Sequence, residues 1–410
     1  MLDINFIREN PEKVKEACEK KQVKVDVDKI LELDKKRREL MTYSESLKAK
    51  QNKLGKENIE EAKKLKEEIK ELAPELEKTE KELNDLLLQL PNIPFDDVPV
   101  GKDEAGNIVI RKVGKPVSAK SFGEAKDYMQ LGKDLDLIDT ERAGKVAGSR
   151  FGYLKNELPL LEFALVKLVM DTVTKEKFVP VIPPVMLKEE MARGTGYFES
   201  GDRNEAYFLP DDKMYLIGTS EQSMIAMHAG EVLNEKDLPI RYVGFSTCFR
   251  REAGSYGKDT KGILRVHQFD KLEMVIFAKP EDSKKEHQLL LSLEEKLMKL
   301  LGLPYQVVNI CTGDLGRPAA AKHDIETWLP SENKYRETHS TSNCTDFQAR
   351  RLNIRYKDKS GKMNFVHTLN GTAFAIGRIL IMIMENCQQK DGSIKVPKAL
   401  QKYCGFKSIK

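Results

Sequence analysis

Cysteine, tryptophan and long hydrophobic runs are scarce in this sequence of 410 residues. Its six cysteines lie far apart and form no C-x-x-C pair, which predicts reduced thiols in a cytoplasmic protein and argues against a zinc site of the usual spacing. The longest apolar run, "ILIMIM", is too short to cross a bilayer, so we expect no membrane partner. The first residues, "MLDINFIREN", carry several charges and do not resemble a signal peptide.

A large excess of one charge is also missing. Lys and Arg number 69 against 65 Asp and Glu, which gives a formal net charge of +4. Any surface for nucleic acid must therefore be local. The hydrophobic fraction of 40% and the charged fraction of 33% are typical of a soluble globular protein, and the length predicts two or three domains.

The N-terminal segment carries two heptad patterns. Leucines recur every seven residues from Leu33 to Leu54, and a second pattern from Leu65 to Leu90 alternates steps of three and four. Two such helices joined by a short turn predict an antiparallel coiled-coil hairpin. Pro74 lies within the second helix, and we expect it to kink this helix or to interrupt its hydrogen bonding.

The first of these helices is rich in basic residues. Neutralised phosphates release counterions, so a one-sided basic face suits a nucleic-acid backbone. A solvated helix face is the alternative, and it is the more common origin of such charges. The candidate residues are Lys35, Lys36, Arg37 and Arg38.

Three prolines in "LPNIPFDDVPVG" indicate a stiff, extended linker. Beyond it the heptads are gone, and short strands and helices alternate with proline and glycine. We therefore predict an N-terminal domain over residues 1–100 and one large α+β domain over residues 101–410.

Two segments of the second domain predict a β-hairpin. "IRYVGFSTCFRRE" and "GILRVHQFDKLEMVIF" have strand character, and a loop with Gly254, Gly257 and Gly262 lies between them. The paired face would present arginines, an aromatic ring and two glutamates, which together could bind a nucleoside triphosphate beside a small amino compound. An exposed hairpin with cross-strand ion pairs explains the same residues.

A third segment, "FVHTLNGTAFAIGRILIMIMENCQQ", predicts a strand, a turn at Asn370 and Gly371, and a helix that is apolar nearly all round. Arg378 would then lie in or beside a core, where its guanidinium must meet an acid or an anion. A helix N-terminus near Thr372 would attract an anion further. A structural salt bridge of Arg378 is the alternative.

Two shorter motifs are weaker signals. Glu337 and Ser340 in "ETHS" could supply oxygen ligands to Mg²⁺ that bridges phosphates. Thr219 and Gln222 in "GTSEQ" have capping-box spacing, so Thr219 could simply begin a helix.

Together these segments resemble the seryl-tRNA synthetases of the bacterial and eukaryotic type, a family of class II aminoacyl-tRNA synthetases. "FALVKLVMDTVTKEKFVPVIPPVML" resembles class II motif 1, "FSTCFRREAGSYGKDTKGILRVHQFDKLE" motif 2 and "TLNGTAFAIGRILIMIMEN" motif 3. "GTSEQ" is similar to the family's T-x-E serine element. The resemblance covers essentially the whole chain, and the order of the motifs makes it specific.

The resemblance implies an antiparallel sheet flanked by helices, with an N-terminal coiled-coil arm that binds tRNA. It implies a catalytic domain over residues 101–410 and a homodimer formed through motif 1. The implied reaction uses ATP and Mg²⁺ to activate L-serine as seryl-adenylate and then transfers serine to the 3′ end of tRNA(Ser), and of tRNA(Sec) where that is present.

The resemblance also implies roles for individual residues. Arg250 and Arg378 would be catalytic, Glu337 and Ser340 would carry Mg²⁺, and Lys35, Lys36, Arg37 and Arg38 would bind tRNA. ATP would be bound by Arg250, Arg251, Glu252, Arg265, Val266, Phe269, Glu337, Thr338, His339, Ser340 and Arg378. Serine would be bound by Thr219, Ser220, Glu221, Arg250, Glu273, Asn370 and Thr372.

The chain departs from the family pattern at Ser220, Arg251 and His339, where the family usually has a small residue, a serine and a serine. Two other functions remain as alternatives: a class II synthetase with another amino acid, and an inactive paralogue that serves as a binding protein. The retention of Arg250, Glu273 and Arg378 argues against the second.

Overall fold

The computed structural model describes residues 1–54, 58–118, 122, 125–197, 202–253 and 261–410, and it divides into two compact units, Met1–Ile93 and Pro94–Lys410. The division falls before the expected boundary at residue 100. From Pro94 onward the proline-rich segment belongs to the second unit. Backbone hydrogen bonds hold it there: the Phe95 amide donates to the Ala320 carbonyl at 2.9 Å, and the Thr312 amide donates to the Pro99 carbonyl at 2.9 Å.

The first unit is helical, and its heptads form the predicted antiparallel pair. Within that pair Leu33 and Leu83 are among the buried residues, and Nζ of Lys36 lies 2.8 Å from a carboxylate oxygen of Glu75 across the two helices. Pro74 lies inside an uninterrupted helix, and the connecting residues 55–57 lie outside the described residues. The helices are α1 (Ile4–Glu9), α2 (Pro11–Lys20), α3 (Val27–Lys53) and α4 (Ile59–Gln89).

A buried aspartate links α1 to α3 in the helical unit. The Asp34 side chain is fully buried, and its carboxylate contacts three guanidinium groups, those of Arg8 at 3.2 Å, Arg37 at 3.3 Å and Arg38 at 3.1 Å. Since a buried carboxylate needs such partners, Arg37 and Arg38 have a structural role beside any role in nucleic-acid binding.

The second unit contains an eight-stranded sheet, which confirms the α+β fold class. Neighbours in the sheet follow the order β1-β5-β6-β7-β8-β4-β3-β2, and every pair is antiparallel except β2 with β3. The strands are β1 (Ile108–Val113), β2 (Val179–Val181), β3 (Ile240–Phe249), β4 (Gln268–Ala278), β5 (Tyr305–Asn309), β6 (Ala321–Leu329), β7 (Lys334–Asn343) and β8 (His367–Ala375).

Helices flank the sheet, and shorter strands pair outside it. The helices are α5 (Tyr128–Asp134), α6 (Thr140–Ala147), α7 (Glu157–Val173), α8 (Glu189–Gly194), α9 (Ser220–Ala226), α10 (Ser283–Leu301), α11 (Phe347–Leu352), α12 (Ile376–Asn386) and α13 (Lys398–Cys404). Among the residues described, no helix is both long and apolar enough to span a membrane.

The main core lies on one face of the sheet, beneath α7, α10 and α12. Leu272, Met274 and Ile276 of β4 point into it, together with Leu369 and Phe374 of β8. Because side chains alternate along a strand, the residues between them on β4 point to the opposite face, where the candidate site lies.

The predicted hairpin forms, with shorter strands than expected. β3 ends at Phe249 and β4 begins at Gln268. The pairing extends by one further step, because the Arg250 amide donates to the His267 carbonyl at 2.9 Å, and then Glu252 adopts φ +54° and turns the chain away. The loop glycines Gly254 and Gly257 lie outside the described residues.

The predicted turn at Asn370 and Gly371 is wrong. Both residues lie inside β8, and the helix begins only at Ile376, so Thr372 is in a strand and not at a helix N-terminus. Gly371 is needed for close packing: a Cβ there would lie 2.9 Å from Oε1 of Glu294 on α10 and 3.2 Å from Oγ1 of Thr341. An Asn-Gly pair usually marks a hairpin turn, but here the glycine admits a neighbouring helix.

The buried cluster around Asp34 generates a stability prediction. We expect Asp34→Ala to lower the free energy of unfolding by about 2 kcal/mol, because it removes charge-assisted hydrogen bonds from Arg37 and Arg38 and an ion pair with Arg8. Urea unfolding followed by helical circular dichroism measures the change. Asp85→Ala, an exposed position on α4, is the matched control, and equal stability of the two variants would contradict the structural role of Asp34.

Candidate active site

A cavity of about 340 Å³ lies against β4 and β8 on the face opposite the main core. Most of the residues expected at a nucleotide and amino-acid site line it, although they come from segments far apart in the chain. They are Thr219, Glu221, Arg250, Glu252, Arg265, Val266, Phe269, Glu273, Glu337, Thr338, Ser340, Asn370, Thr372 and Arg378.

Arg250 lines the cavity, and its guanidinium can bind an anionic group of a ligand. Its guanidinium carbon lies 5.3 Å from the centroid of the Phe269 ring, and its Nε donates to the Gly218 carbonyl at 3.1 Å. Among the residues that the structure describes, no carboxylate lies within ion-pair distance of it. The remaining donors of a guanidinium in that position can bind a carboxylate or phosphate of a ligand.

Two further arginines of the cavity are paired. Nη1 of Arg265 lies 2.7 Å from Oε2 of Glu252. Nη1 of Arg378 donates to the Glu337 carbonyl at 2.9 Å and lies 3.3 Å from the Glu337 carboxylate. Arg378 therefore meets an acid, as its place beside the core requires, and its guanidinium also borders the cavity.

Glu337 remains ionised in this cationic surrounding. Enclosure by the protein alone would raise the pKa of its carboxyl, but Arg378, Lys322, Arg250 and Arg265 more than offset that effect and hold the pKa below its usual value.

A β-bulge brings Glu337 and Ser340 to the same side of β7. Residues three apart in a regular strand point to opposite faces. Here Glu337 pairs with Glu326 and His339 with Ile325, so Thr338 is an extra residue and both Glu337 and Ser340 line the cavity. Their oxygen atoms are donors of the kind that Mg²⁺ prefers.

The other end of the cavity is built around Glu273 on β4. This carboxylate is almost fully buried; its Oε2 accepts a hydrogen bond from the Thr372 hydroxyl at 3.1 Å and lies 2.6 Å from Nζ of Lys271. A second bulge allows this contact, because Leu272 pairs with Phe374 while Glu273 pairs with Thr372, which leaves Ala373 as the extra residue of β8.

Glu221 is the second buried carboxylate of this end. It accepts hydrogen bonds from the Tyr197 hydroxyl at 2.8 Å, the Gln348 amide at 2.9 Å and the Asn370 amide at 3.0 Å. Burial, and then the charge of Glu273, raise the pKa of Glu221 to about 7. Burial, and then the neighbouring Glu221, also raise the pKa of Tyr197 well above its usual value.

Thr219 serves both of the roles considered for it. Its hydroxyl accepts from the Glu221 amide at 3.3 Å and caps α9, and its side chain also lines the cavity. The cap fixes the first turn of α9 and so fixes the position of Glu221.

Three expected site residues do not line the cavity. The Ser220 side chain is fully buried in the first turn of α9, the Arg251 guanidinium lies 5.7 Å from the centroid of the Tyr207 ring, and the His339 ring packs edge-on against Phe374. His339 follows the bulge and points to the core face of β7. Burial lowers the pKa of its imidazole to about 3, so the ring is neutral.

Sequence reasoning missed Tyr197, Lys322 and Gln348. The period of two places Lys271 on the same face of the predicted strand as Phe269 and Glu273, but the sequence assigned this lysine no role. Lys322, whose Nζ lies 3.1 Å from an Asp324 carboxylate oxygen, reaches the cavity through pairing of β6 with β7. No local pattern marks Tyr197 or Gln348, whose partners lie 24 and 127 residues away.

Two family descriptions match the chain. Residues 1–94 match the seryl-tRNA synthetase N-terminal domain, and residues 207–387 match the class II core domain of tRNA synthetases for G, H, P, S and T.

Full-length relatives are similar throughout. The chain is 48% identical to the serine–tRNA ligase of Dictyoglomus turgidum, over 100% of this chain and 99% of the relative, and 44% identical to that of Treponema denticola, over 100% of both. Among solved structures, seryl-tRNA synthetase from Pyrococcus horikoshii complexed with ATP superimposes with a TM-score of 0.92 at 42% identity, over 100% of this chain and 99% of that chain. The cytoplasmic serine–tRNA ligase of Naegleria fowleri in complex with AMP gives 0.90 at 36% identity, with the same coverage.

Proposed function

The chain belongs to the seryl-tRNA synthetase family, and on that premise we propose that its cavity activates L-serine with ATP before the serine is transferred to tRNA. Its activity is that of an ATP-dependent serine–tRNA ligase. One observation carries the assignment of the cavity: a single pocket combines an available guanidinium beside an aromatic ring with two buried carboxylates beside hydroxyl groups.

The end of the cavity that contains Arg250, Arg265 and Arg378, here called the cationic end, binds ATP. Phe269 stacks on the adenine, the Glu252 carboxylate accepts from its amino group, and the backbone near Val266 contacts its edge. Arg265 binds the departing pyrophosphate, and Arg378 stacks on the other adenine face or binds the γ-phosphate. The neighbouring Thr338 and His339 can contribute only backbone contacts there, since their side chains are buried on the far side of β7.

Activation needs little proton transfer. The serine carboxylate is already ionised; one of its oxygens attacks the α-phosphorus, and the bond to the bridging oxygen of pyrophosphate breaks. Arg250 stabilises the charge that develops on the α-phosphate, because its guanidinium is available and already oriented by Gly218 and Phe269. The cavity acts mainly by orientation.

Mg²⁺ fits this end of the cavity. Glu337 and Ser340 would hold it, and Mg²⁺ would neutralise charge on the phosphates. Within the described ranges, no group of three His, Cys, Asp or Glu side chains could hold a metal ion by itself, which suits an ion that takes most of its ligands from ATP and water.

The end of the cavity that contains Glu221 and Glu273, here called the carboxylate end, selects serine. Thr219 and Glu221 bind the ammonium group, Glu273 and Thr372 bind the hydroxyl, and Asn370 orients Glu221. Alanine is rejected because it would leave one oxygen of the buried Glu273 carboxylate without a hydrogen bond. Ser220 supports the site only through the backbone of α9, and the Arg251 guanidinium lies outside the cavity, over the Tyr207 ring.

A homodimer formed through motif 1 accounts for an exposed apolar surface. Leu160 and Phe163 of α7 are 53% and 64% exposed, and Val179 and Ile182 at the edge of the sheet are 53% and 85% exposed. Apolar side chains exposed in this number favour a protein partner, and a second copy is the partner that we propose.

The coiled-coil arm binds tRNA(Ser), and tRNA(Sec) where present, through the basic side of α3. The Lys35 side chain is 73% exposed and can reach phosphates, whereas that of Lys36 is 49% exposed and must leave its contact with Glu75 to do so. Arg37 and Arg38 contribute less, since both are bound to Asp34. No disulfide joins the six cysteines, and we propose that the enzyme acts in the cytoplasm, where thiols stay reduced.

Loss of Arg250 tests the activation step. We expect Arg250→Ala to lower serine-dependent ATP–pyrophosphate exchange by about 10²–10³-fold, the effect of removing one electrostatic donor. Arg142→Ala, at an exposed arginine outside the cavity, is the control. Exchange near the wild-type level in the Arg250 variant would exclude the assigned role, and exchange that depends on another amino acid would exclude serine.

The pKa of Glu221 predicts a pH dependence. Only the ionised carboxyl pairs with the serine ammonium, and this carboxyl becomes protonated below pH about 7. We therefore expect kcat/KM for serine to fall with decreasing pH below about 7, by about tenfold per unit. The KM for ATP, measured over the same range, should stay constant. A pH-independent kcat/KM for serine down to pH 5 would contradict this role.

The arm is tested by charge removal. Replacement of Lys35 and Lys36 by glutamine should spare serine activation, weaken tRNA charging and reduce the salt dependence of tRNA binding by about one unit of slope per lost phosphate contact. The matched control replaces Lys63 and Lys64, two exposed lysines of α4. Charging identical to wild type at every salt concentration would identify the basic side of α3 as a solvated face.

A further inference from the structure

The carboxylate end of the cavity contains an ammonium group to which the proposed function assigns no role. Lys271 lies on β4 with only 8% of its side chain exposed, and it lines the cavity. Its Nζ lies 2.6 Å from Oε2 of Glu273, and the same oxygen accepts the Thr372 hydroxyl at 3.1 Å. Oε2 is therefore occupied by protein donors, which leaves Oε1 for a ligand.

The position of Lys271 is fixed by the sheet. It lies opposite Ser246 of β3 and Ala375 of β8 in the strand register. Among the described residues, Glu273 is the one carboxylate within ion-pair distance of this ammonium. Burial of a lysine is costly unless its charge is compensated. Packing alone therefore does not explain why Lys271 is buried beside Glu273.

A charge count at this end suggests the reason. This end contains two carboxylates, those of Glu221 and Glu273, and one cation, the ammonium of Lys271. Glu221 accepts its hydrogen bonds from uncharged donors on Tyr197, Gln348 and Asn370. With Glu221 ionised, the end carries one net negative charge, which matches the single ammonium group of serine. Without Lys271 the net charge would be two negatives, which matches a substrate with two ammonium groups.

We propose that Lys271 is a specificity-determining residue that makes the side-chain subsite select an uncharged hydroxyl and reject an amine. Its ammonium neutralises Glu273 and fixes Oε2, so that Oε1 accepts a hydrogen bond from the serine hydroxyl. This inference rests on the proposed function of the cavity, and it adds a residue and a discrimination that the proposed function does not contain.

L-2,3-diaminopropionate is the probe for this subsite. It has the size of serine and carries an amine in place of the hydroxyl. When both of its amines are protonated, the second ammonium would lie beside the ammonium of Lys271 in the wild-type protein, where like charges repel at low dielectric. In Lys271→Met that ammonium could replace Nζ as the partner of Glu273.

The experiment measures ATP–pyrophosphate exchange of the full chain with serine, diaminopropionate and alanine at pH 7.5. We expect Lys271→Met to raise the KM for serine and lower its kcat/KM by about 10²-fold, as for a buried charged group that loses its partner, while the KM for ATP is unchanged. The ratio of kcat/KM for diaminopropionate to that for serine should rise by at least about 10²-fold. Lys271→Arg, which keeps the charge, should restore the preference for serine.

Two controls separate the possible outcomes. Lys279→Met removes a lysine just beyond the end of β4 that pairs with Glu281 outside the cavity, and it should change no ratio. Lys271→Gln serves if the methionine variant fails to fold, since it keeps the length and polarity of the side chain. An unchanged ratio of kcat/KM for diaminopropionate to that for serine in the folded Lys271→Met or Lys271→Gln variant would overturn the inference. Absence of serine-dependent exchange in the wild type would instead refute the proposed function.

Discussion

The alternation of side chains along β4 is the constraint on which the site depends. Leu272, Met274 and Ile276 enter the main core, so Lys271 and Glu273 must point to the opposite face. A shift of one residue in the pairing would place two charged side chains in the apolar core under α7, α10 and α12, at a large cost in free energy. The apolar core therefore positions the polar cavity.

Two bulges adapt this alternation to the site. The extra residue at Thr338 lets Glu337 and Ser340 share a face of β7, and the extra residue at Ala373 sets Thr372 opposite Glu273 while Phe374 stays in the core. Bulges shift side chains without a break in the sheet. Both lie on the cavity wall, one at the cationic end and one at the carboxylate end, so the two ends are formed by the same device.

Charge pairing then separates the two ends. Glu252 is bound to Arg265, Glu337 to Arg378 and Glu273 to Lys271, while neutral donors hold Glu221. Arg250 is left for a ligand among the described residues. A buried cavity with many charges would be unstable without such pairing, and a ligand that brings both an anionic and a cationic group completes it. An amino acid condensed with a nucleotide has this character.

The sequence by itself determined the helical hairpin, the α+β class of the second domain and the family, because heptad spacing, strand period and motif order are local properties of the chain. It also identified most residues that line the cavity.

The sequence could not determine that Asn370 and Gly371 lie within a strand, since the need for a glycine comes from Glu294 on a distant helix. It could not show that Ser220 and His339 point away from the cavity, because that depends on a helix cap and a bulge. It did not distinguish the structural Arg37 and Arg38 from the exposed Lys35, since the difference comes from the buried Asp34. Tertiary structure decided these matters because burial and charge pairing arise only when remote segments meet.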